Sequence, residues 1–175
     1  MLSDQFDKYI HFPDSKVLLE RAKFRLKFEE LFFVQLRLLR SNLVRHQITQ
    51  GFVFSKVGDV FNNFYNHHLP FQLTNAQKRV VKEIRVDMGS GKQMSRLVQG
   101  DVGSGKTLVA LLSMLLAIDN GFQSCLMAPT EILAKQHFVN FCRTLTKLDI
   151  KVGLLTGSLS SKEHEDALGK IATGE

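Results

Sequence analysis

The chain has little of what marks a secreted, membrane or metal-bound protein. It holds two cysteines, Cys125 and Cys142, both inside apolar segments and not in a CxxC pair. That pattern predicts buried, reduced thiols, consistent with a cytoplasmic protein. No apolar run reaches membrane-spanning length, and the opening MLSDQFDK lacks a signal-peptide core. No membrane partner is therefore expected. The six histidines show no ligand spacing, and His67 with His68 reads as loop rather than as a metal site. Between Lys16 and His46 there is neither glycine nor proline, so the usual helix breakers are missing there.

What is present is a 44% hydrophobic composition that suits a globular core, and a net charge of +6. The pI near 9.4 is compatible with a polyanionic partner, although many ordinary domains are mildly basic too. At 175 residues the chain is one domain, or one small domain with an extension.

The run GDVGSGKT from Gly100 to Thr107 fills every fixed position of the phosphate-loop pattern G-x-x-x-x-G-K-[ST]. Residues 96–99 before it read as a short strand. Residues 108–118 after it (LVALLSMLLAI) read as a buried helix, which completes the strand–loop–helix setting. Gly100, Gly103 and Gly105 allow backbone conformations and close approach that side chains would block. Successive N–H groups from Val102 through Ser104 to Thr107 can then face one concavity and bind phosphate oxygens. The helix starting near Lys106 adds the positive end of its dipole. Lys106 would reach the β- and γ-phosphates, and the Thr107 hydroxyl would hold Mg²⁺. A second GSGK at residues 89–92 has Val86 at the first fixed position and Gln93 after the lysine. It reads as a basic turn.

Two regions differ in character. Residues 13–48 look helical, with Pro13, Asp14 and Ser15 as the start signal. Phe28, Phe32, Leu36, Leu39 and Leu43 make one stripe, widened by Leu31, Val34 and Leu38. Such a surface implies burial against another module or a second helix. Arg21, Lys23, Arg25 and Lys27 leave two readings open: a nucleic-acid contact, or the solvated face that charge runs usually form. Residues 51–69 hold one short helix near Val57 to Tyr65, and Pro70 closes that segment.

Beyond Pro70 helix and strand alternate. A basic helix over 75–87 has Thr74 as N-cap. Residues 124–128 form a second strand, followed by a helix over 131–146. A third strand covers 151–155, and a helix follows over 160–171. Alternation of this kind predicts an α/β fold with a parallel sheet. The acids after Thr107 lack the context of a metal-binding carboxylate. Asp119 sits at a helix end, and Asp149 precedes a strand instead of following one.

These residues resemble a known family. LVQGDVGSGKT, ending at Thr107, looks like motif I of the superfamily 2 helicases, in the wording typical of the RecG family of branched-DNA helicases. MAPTEILAKQH, from Met127 to His137, resembles motif Ia. LPFQLTNAQ, from Leu69 to Gln77, resembles the adenine-recognising element. LLTGS, from Leu154 to Ser158, resembles the turn after the third strand. IHFP, from Ile10 to Pro13, and the helix behind it look like the linker between the family's wedge domain and its motor.

The resemblance implies a helical linker over 1–69. It implies the first part of a RecA-like motor domain over 70–175, a truncated P-loop sheet flanked by helices. It implies ATP and Mg as cofactors, and forked or branched double-stranded DNA as partner. The parent would be a monomeric, ATP-dependent helicase that remodels stalled forks and junctions in DNA repair and recombination. Lys106 and Thr107 would be catalytic. Gln77 would hydrogen-bond the adenine edge, and Phe71 would pack on the base. Thr130 and Glu131 would lie at the DNA backbone.

The family's acidic motif II, second motor domain and wedge have no counterpart in the sequence. Motif II and III strands normally lie between those of motifs I and Ia, so a gapped sheet with exposed strand edges is expected. By that reading the chain contacts ATP and DNA but neither hydrolyses nor unwinds at a useful rate. Three other readings stay open: a stand-alone P-loop nucleotide-binding module, a piece of the related transcription-repair coupling helicase, and a docking piece that uses only the long helix.

Overall fold

The computed structural model describes residues 8–48 and 50–174. The expectations placed on residues 1–7 and on Glu175 lie outside them. The chain divides into two compact units, Met1–Gln50 and Gly51–Glu175.

The first unit is dominated by helix α1, Lys16–Ile48. Its start is set by Ser15, whose Oγ accepts from the Leu18 N–H at 3.3 Å. Lys23 pairs with Glu20 at 3.0 Å, and Arg25 pairs with Glu29. Half of the basic run is thus paired with acids of its own helix, as a solvated face requires. Phe24, Phe28 and Phe32 stack in series, with ring centroids 6.5 and 5.7 Å apart. The stripe leans on itself yet stays exposed at Phe28, Phe32, Leu36, Leu39 and Leu43.

The second unit holds α2, Asp59–Asn63, which runs into a π-helical turn, Phe64–His68. Then come α3, Asn75–Met88, α4, Lys106–Asp119, α5, Glu131–Leu145, and α6, Ser161–Thr173. Each of the last four was legible in the sequence. Thr74 caps α3 with a full capping box to Gln77, Thr130 caps α5, and Ser160 caps α6 with a box to Glu163. Residues 51–69, grouped by sequence with the long helix, pack in this unit through Phe64.

The core is built around α4. Leu108, Val109, Leu111, Leu112, Leu115, Leu116 and Ala117 are all buried. Against them pack Phe64, Leu73, Val81, Ile84, Phe141 and Leu145. Burying each such leucine stabilises the fold by about 1.5–3 kcal/mol. At its C-terminal end, Asp119 turns its carboxylate onto the start of α2. It accepts from the N–H groups of Gly58 at 2.9 Å, Val60 at 3.1 Å and Phe61 at 3.0 Å. A carboxylate at a helix C-terminus is unfavourable by itself. The N-terminus of α2 compensates it.

The expected sheet is not formed. Among the described residues, 96–99, 124–128 and 151–155 carry no strand, and no backbone hydrogen bond joins any two of them. The physical reason is that a strand exists only with a hydrogen-bonded ladder partner beside it, and these three segments make no such ladder with one another. Their strand-like alternation survives all the same. Val98, Leu126 and Val152 rest on the helical core, while Leu97 and Met127 point out at 91% and 90% exposure. The same alternation corrects the expectation for the thiols. Cys125 falls on the outward phase and Cys142 on the open face of α5, so both are exposed rather than buried.

Candidate nucleotide-binding site

The loop 100–105 leads into α4 through two left-handed glycines, Gly103 and Gly105, each at φ +80°. A side chain at Gly105 would be strained by that φ alone. Its Cβ would also stand 2.5 Å from Gln77 Nε2. Glycine is therefore required there twice over. The turn is closed by Ser104 N–H donating to the Asp101 carbonyl at 3.1 Å. Among the described residues, the N–H groups of Gly103, Gly105, Lys106 and Thr107 meet no acceptor within the chain. Alternating left-handed residues with free N–H groups at a helix N-terminus form an anion-binding nest.

Lys106 opens α4 and folds back over the loop. Its Nζ donates to the carbonyls of Gly100 and Asp101, both at 2.8 Å. The ammonium thereby lies across the mouth of the nest. Thr107 follows in the first turn, exposed, with its hydroxyl uncommitted among the described residues. Val102 at the tip is fully exposed. Gly103, Gly105, Lys106 and Thr107 are thus brought together at one helix start.

Gln77 is the buried polar side chain of the core. Its Oε1 accepts from Thr74 N–H at 2.8 Å, and its Nε2 donates to the Ser104 carbonyl at 2.8 Å. One amide thus fastens the start of α3 to the phosphate loop, across twenty-seven positions of sequence. Phe71, half exposed, brings its ring to the same place: its Cζ lies 3.9 Å from a Cβ built on Gly105. Gln77, Phe71 and the loop therefore meet. The link from Gln77 to Ser104 was not foreseen, because capping signals are local and this one is not.

The segment before the loop is held from α3. Arg96 pairs with Asp87 and with Glu83. Its guanidinium is raised from its ordinary value, first by the hydrogen bond to Asp87 and then by the one to Glu83.

Thr130 and Glu131 lie at the other exposed helix start. Thr130 Oγ1 accepts from Leu133 N–H at 3.3 Å. Glu131 binds Lys135 Nζ at 2.6 Å and takes the hydroxyl hydrogen of Ser158. The Glu131 carboxyl is held below the usual carboxylate range, first by Lys135 and then by Ser158. Sequence reasoning missed Lys135 and Ser158, though the TGS turn did single out the second. Among the described residues no group of three histidines, cysteines or acids is placed to hold a metal. No helix among them is long and apolar enough to cross a membrane.

Loop, lysine, helix and amide brace together have the form of a phosphate loop at a helix N-terminus. The family model described as DEAD/DEAH box helicase matches residues 74–173, and the chain belongs to that family. It is similar to the protein named ATP-dependent DNA helicase RecG from Synechocystis sp., 42% identical over 95% of this chain and 20% of the relative. The protein of that name from Borreliella burgdorferi is 44% identical over 99% of this chain and 24% of the relative. A solved structure described as RecG bound to a three-way DNA junction matches with a TM-score of 0.78 at 42% identity. That match covers 94% of this chain and 22% of the other. The chain thus spans between a fifth and a quarter of the length of the relatives it matches. The resemblance read from the motifs holds over nearly all of it, and the matched structure implies a RecA-like α/β fold. A likeness of this extent does not favour a stand-alone module.

Proposed function

We propose that this chain is the nucleotide-cradling part of a cytoplasmic, monomeric, ATP-dependent helicase that remodels forked and branched DNA. The observation that carries this is the nest of free N–H groups crossed by Lys106 and braced by Gln77. The cradle suits a polyphosphate: the tip at Gly103 is open, and several donors converge without internal acceptors. Lys106 and the N–H groups of Gly103 and Gly105 would hold the phosphates. Thr107 would supply a hydroxyl to Mg²⁺. Phe71 would pack against the base, and Gln77 would hydrogen-bond the adenine edge. When bound, ATP would supply the γ-phosphoryl group that passes to water, with ADP as the leaving group.

What this chain's own residues do is hold and orient. The free N–H groups and the ammonium hold anionic oxygens, and the Gln77 amide keeps the loop open. The acid nearest to Thr107 downstream, Asp119, is committed to the start of α2. By this reading the described residues supply nucleotide contacts without a complete hydrolytic site. Residues 70–174 form the motor portion, with 96–99, 124–128 and 151–155 as strands of a parallel sheet once they are paired.

The test is binding of a fluorescent ATP analogue with Mg²⁺. Lys106→Ala is expected to weaken binding about ten- to a hundredfold, the scale of a lost charge-assisted hydrogen bond. It should leave the far-UV spectrum unchanged. Equal affinity of Lys106→Ala and the parent chain would end the proposal.

A further inference from the structure

Residues 51–61 lie across the far ends of two helices. Gly51 N–H donates to the Gly91 carbonyl at 2.9 Å, and Phe54 N–H donates to the Met88 carbonyl at 3.0 Å. Met88 is the last residue of α3, and Gly91 follows in the turn behind it. Asn120, the C-cap of α4, pairs with Lys56 in both directions. Its Oδ1 accepts from Lys56 N–H at 3.0 Å, and its Nδ2 donates to the Lys56 carbonyl at 2.8 Å. Asp119 adds its three bonds to Gly58, Val60 and Phe61. Phe52 and Phe54 close on Phe122, with ring centroids 4.8 and 5.0 Å from it. The segment has no slack: a Cβ on Gly51 would stand 2.6 Å from the Lys92 backbone. The GSGK turn at 89–92, which lacks the fixed positions of a phosphate loop, thus has a use. It seats residue 51.

The opposite ends of the same two helices make the cradle. Thr74 and Gln77 begin α3, Lys106 and Thr107 begin α4, and Gln77 Nε2 joins them through the Ser104 carbonyl at 2.8 Å. Between the ends, Val81 and Ile84 of α3 share one core with Leu108, Leu111, Leu112 and Leu115 of α4. A nucleotide held by Lys106 and read by Gln77 bridges the pair at one end. Segment 51–61 bridges it at the other. Two clamps that favour the same placement of a helix pair favour each other. We propose that 51–61 is a strap whose grip on α3 and α4 is coupled to occupancy of the phosphate loop. Bound nucleotide tightens the strap, and a slack strap weakens nucleotide binding. This rests on the nucleotide-binding reading given above.

The first measurement needs no variant. Hydrogen exchange of the Lys56, Gly58, Val60 and Phe61 amides is followed in the 175-residue chain, with and without Mg²⁺ and a non-hydrolysable ATP analogue. The analogue is expected to slow these amides about five- to tenfold, the low end of ordinary coupling between sites. Amides of α6, which meets neither clamp, should not follow. Equal slowing in α6 would mean general stabilisation by a bound ligand and would overturn the coupling. So would strap amides that ignore an analogue the chain does bind.

The second measurement is reciprocal. Asn120→Ala removes both bonds to Lys56 and one to Leu116, a helix length away from the cradle. It is expected to weaken the analogue about three- to tenfold, the scale of one hydrogen bond. Asn120→Asp, which still accepts from Lys56 N–H, should recover part of that loss. A merely structural asparagine would lower the melting temperature and leave the affinity of the folded chain unchanged, and that result would also overturn the proposal. A parent chain that binds no analogue at all would sink the nucleotide reading, and the coupling with it.

Discussion

The two halves of the second unit are held together by different means. From α3 through α4 the structure is locked by burial: α4 alone hides seven side chains, and Gln77, Arg96 and Asp119 tie distant segments to it. From α5 through α6 it is held by local devices. α5 buries Phe141 and Leu145, and α6 buries nothing. Its integrity rests on end caps, the ion pairs Lys135–Glu131 and Lys170–Asp166, the hydroxyl of Ser158 and the bond from the Gln123 amide to the Ile171 carbonyl. The lesson is that the phosphate-binding side is a finished core, whereas the other side is a set of well-made helices leaning on it. A motor needs a rigid nucleotide cradle. The helix start at Thr130 and Glu131 sits on the part with the lower local stability.

The largest test of that contrast is a pair of leucines. Leu112→Ala removes a side chain with no exposure and should cost about 2–5 kcal/mol. Leu168→Ala, 45% exposed on α6, should stay within about 0.5 kcal/mol. Urea unfolding of both variants checks this, and equal costs would erase the distinction between the halves.

Next in size is Gly105→Ala. It combines a left-handed φ with a steric demand on Gln77, so a loss of about 1–2 kcal/mol is expected. Nucleotide affinity should fall with it. A thermal scan that finds Gly105→Ala as stable as the parent would show the loop to be looser than its geometry suggests.

The smallest effect is acidic. The Glu163 carboxyl is held below its usual range, first by the Ser160 hydroxyl and then by the Ser160 N–H. A carboxyl depressed on folding contributes stability above its unfolded pKa, and that contribution is lost as pH falls through the folded value. The amides of α6 should therefore exchange faster as pH drops below the ordinary carboxylate range, after correction for intrinsic rates. Glu163→Gln should flatten that dependence.

How much of this was legible in the sequence follows from how local each signal is. The helices α3 to α6 were readable because Thr74, Thr130 and Ser160 announce their starts within four residues. The GDVGSGKT loop was readable because its glycines and lysine are contiguous. Pairing of the extended segments was not readable, since alternation fixes which face is buried but says nothing about which neighbour lies alongside. Nor was the bond from Gln77 to Ser104, or the knot of Glu131, Lys135 and Ser158, because each joins residues far apart in sequence. The exposure of Cys125 depends on the phase of the same alternation.

Asp119 also gives α4 a mechanical meaning. A helix of fourteen residues is about 21 Å long, with the phosphate loop at one end and three N–H groups of residues 58–61 gripped at the other. It is a strut fixed at both ends. A tilt imposed on the loop end cannot be absorbed within the tightly packed rod. It is delivered to the backbone around Gly58, where a Cβ would collide with Asp119 at 2.4 Å.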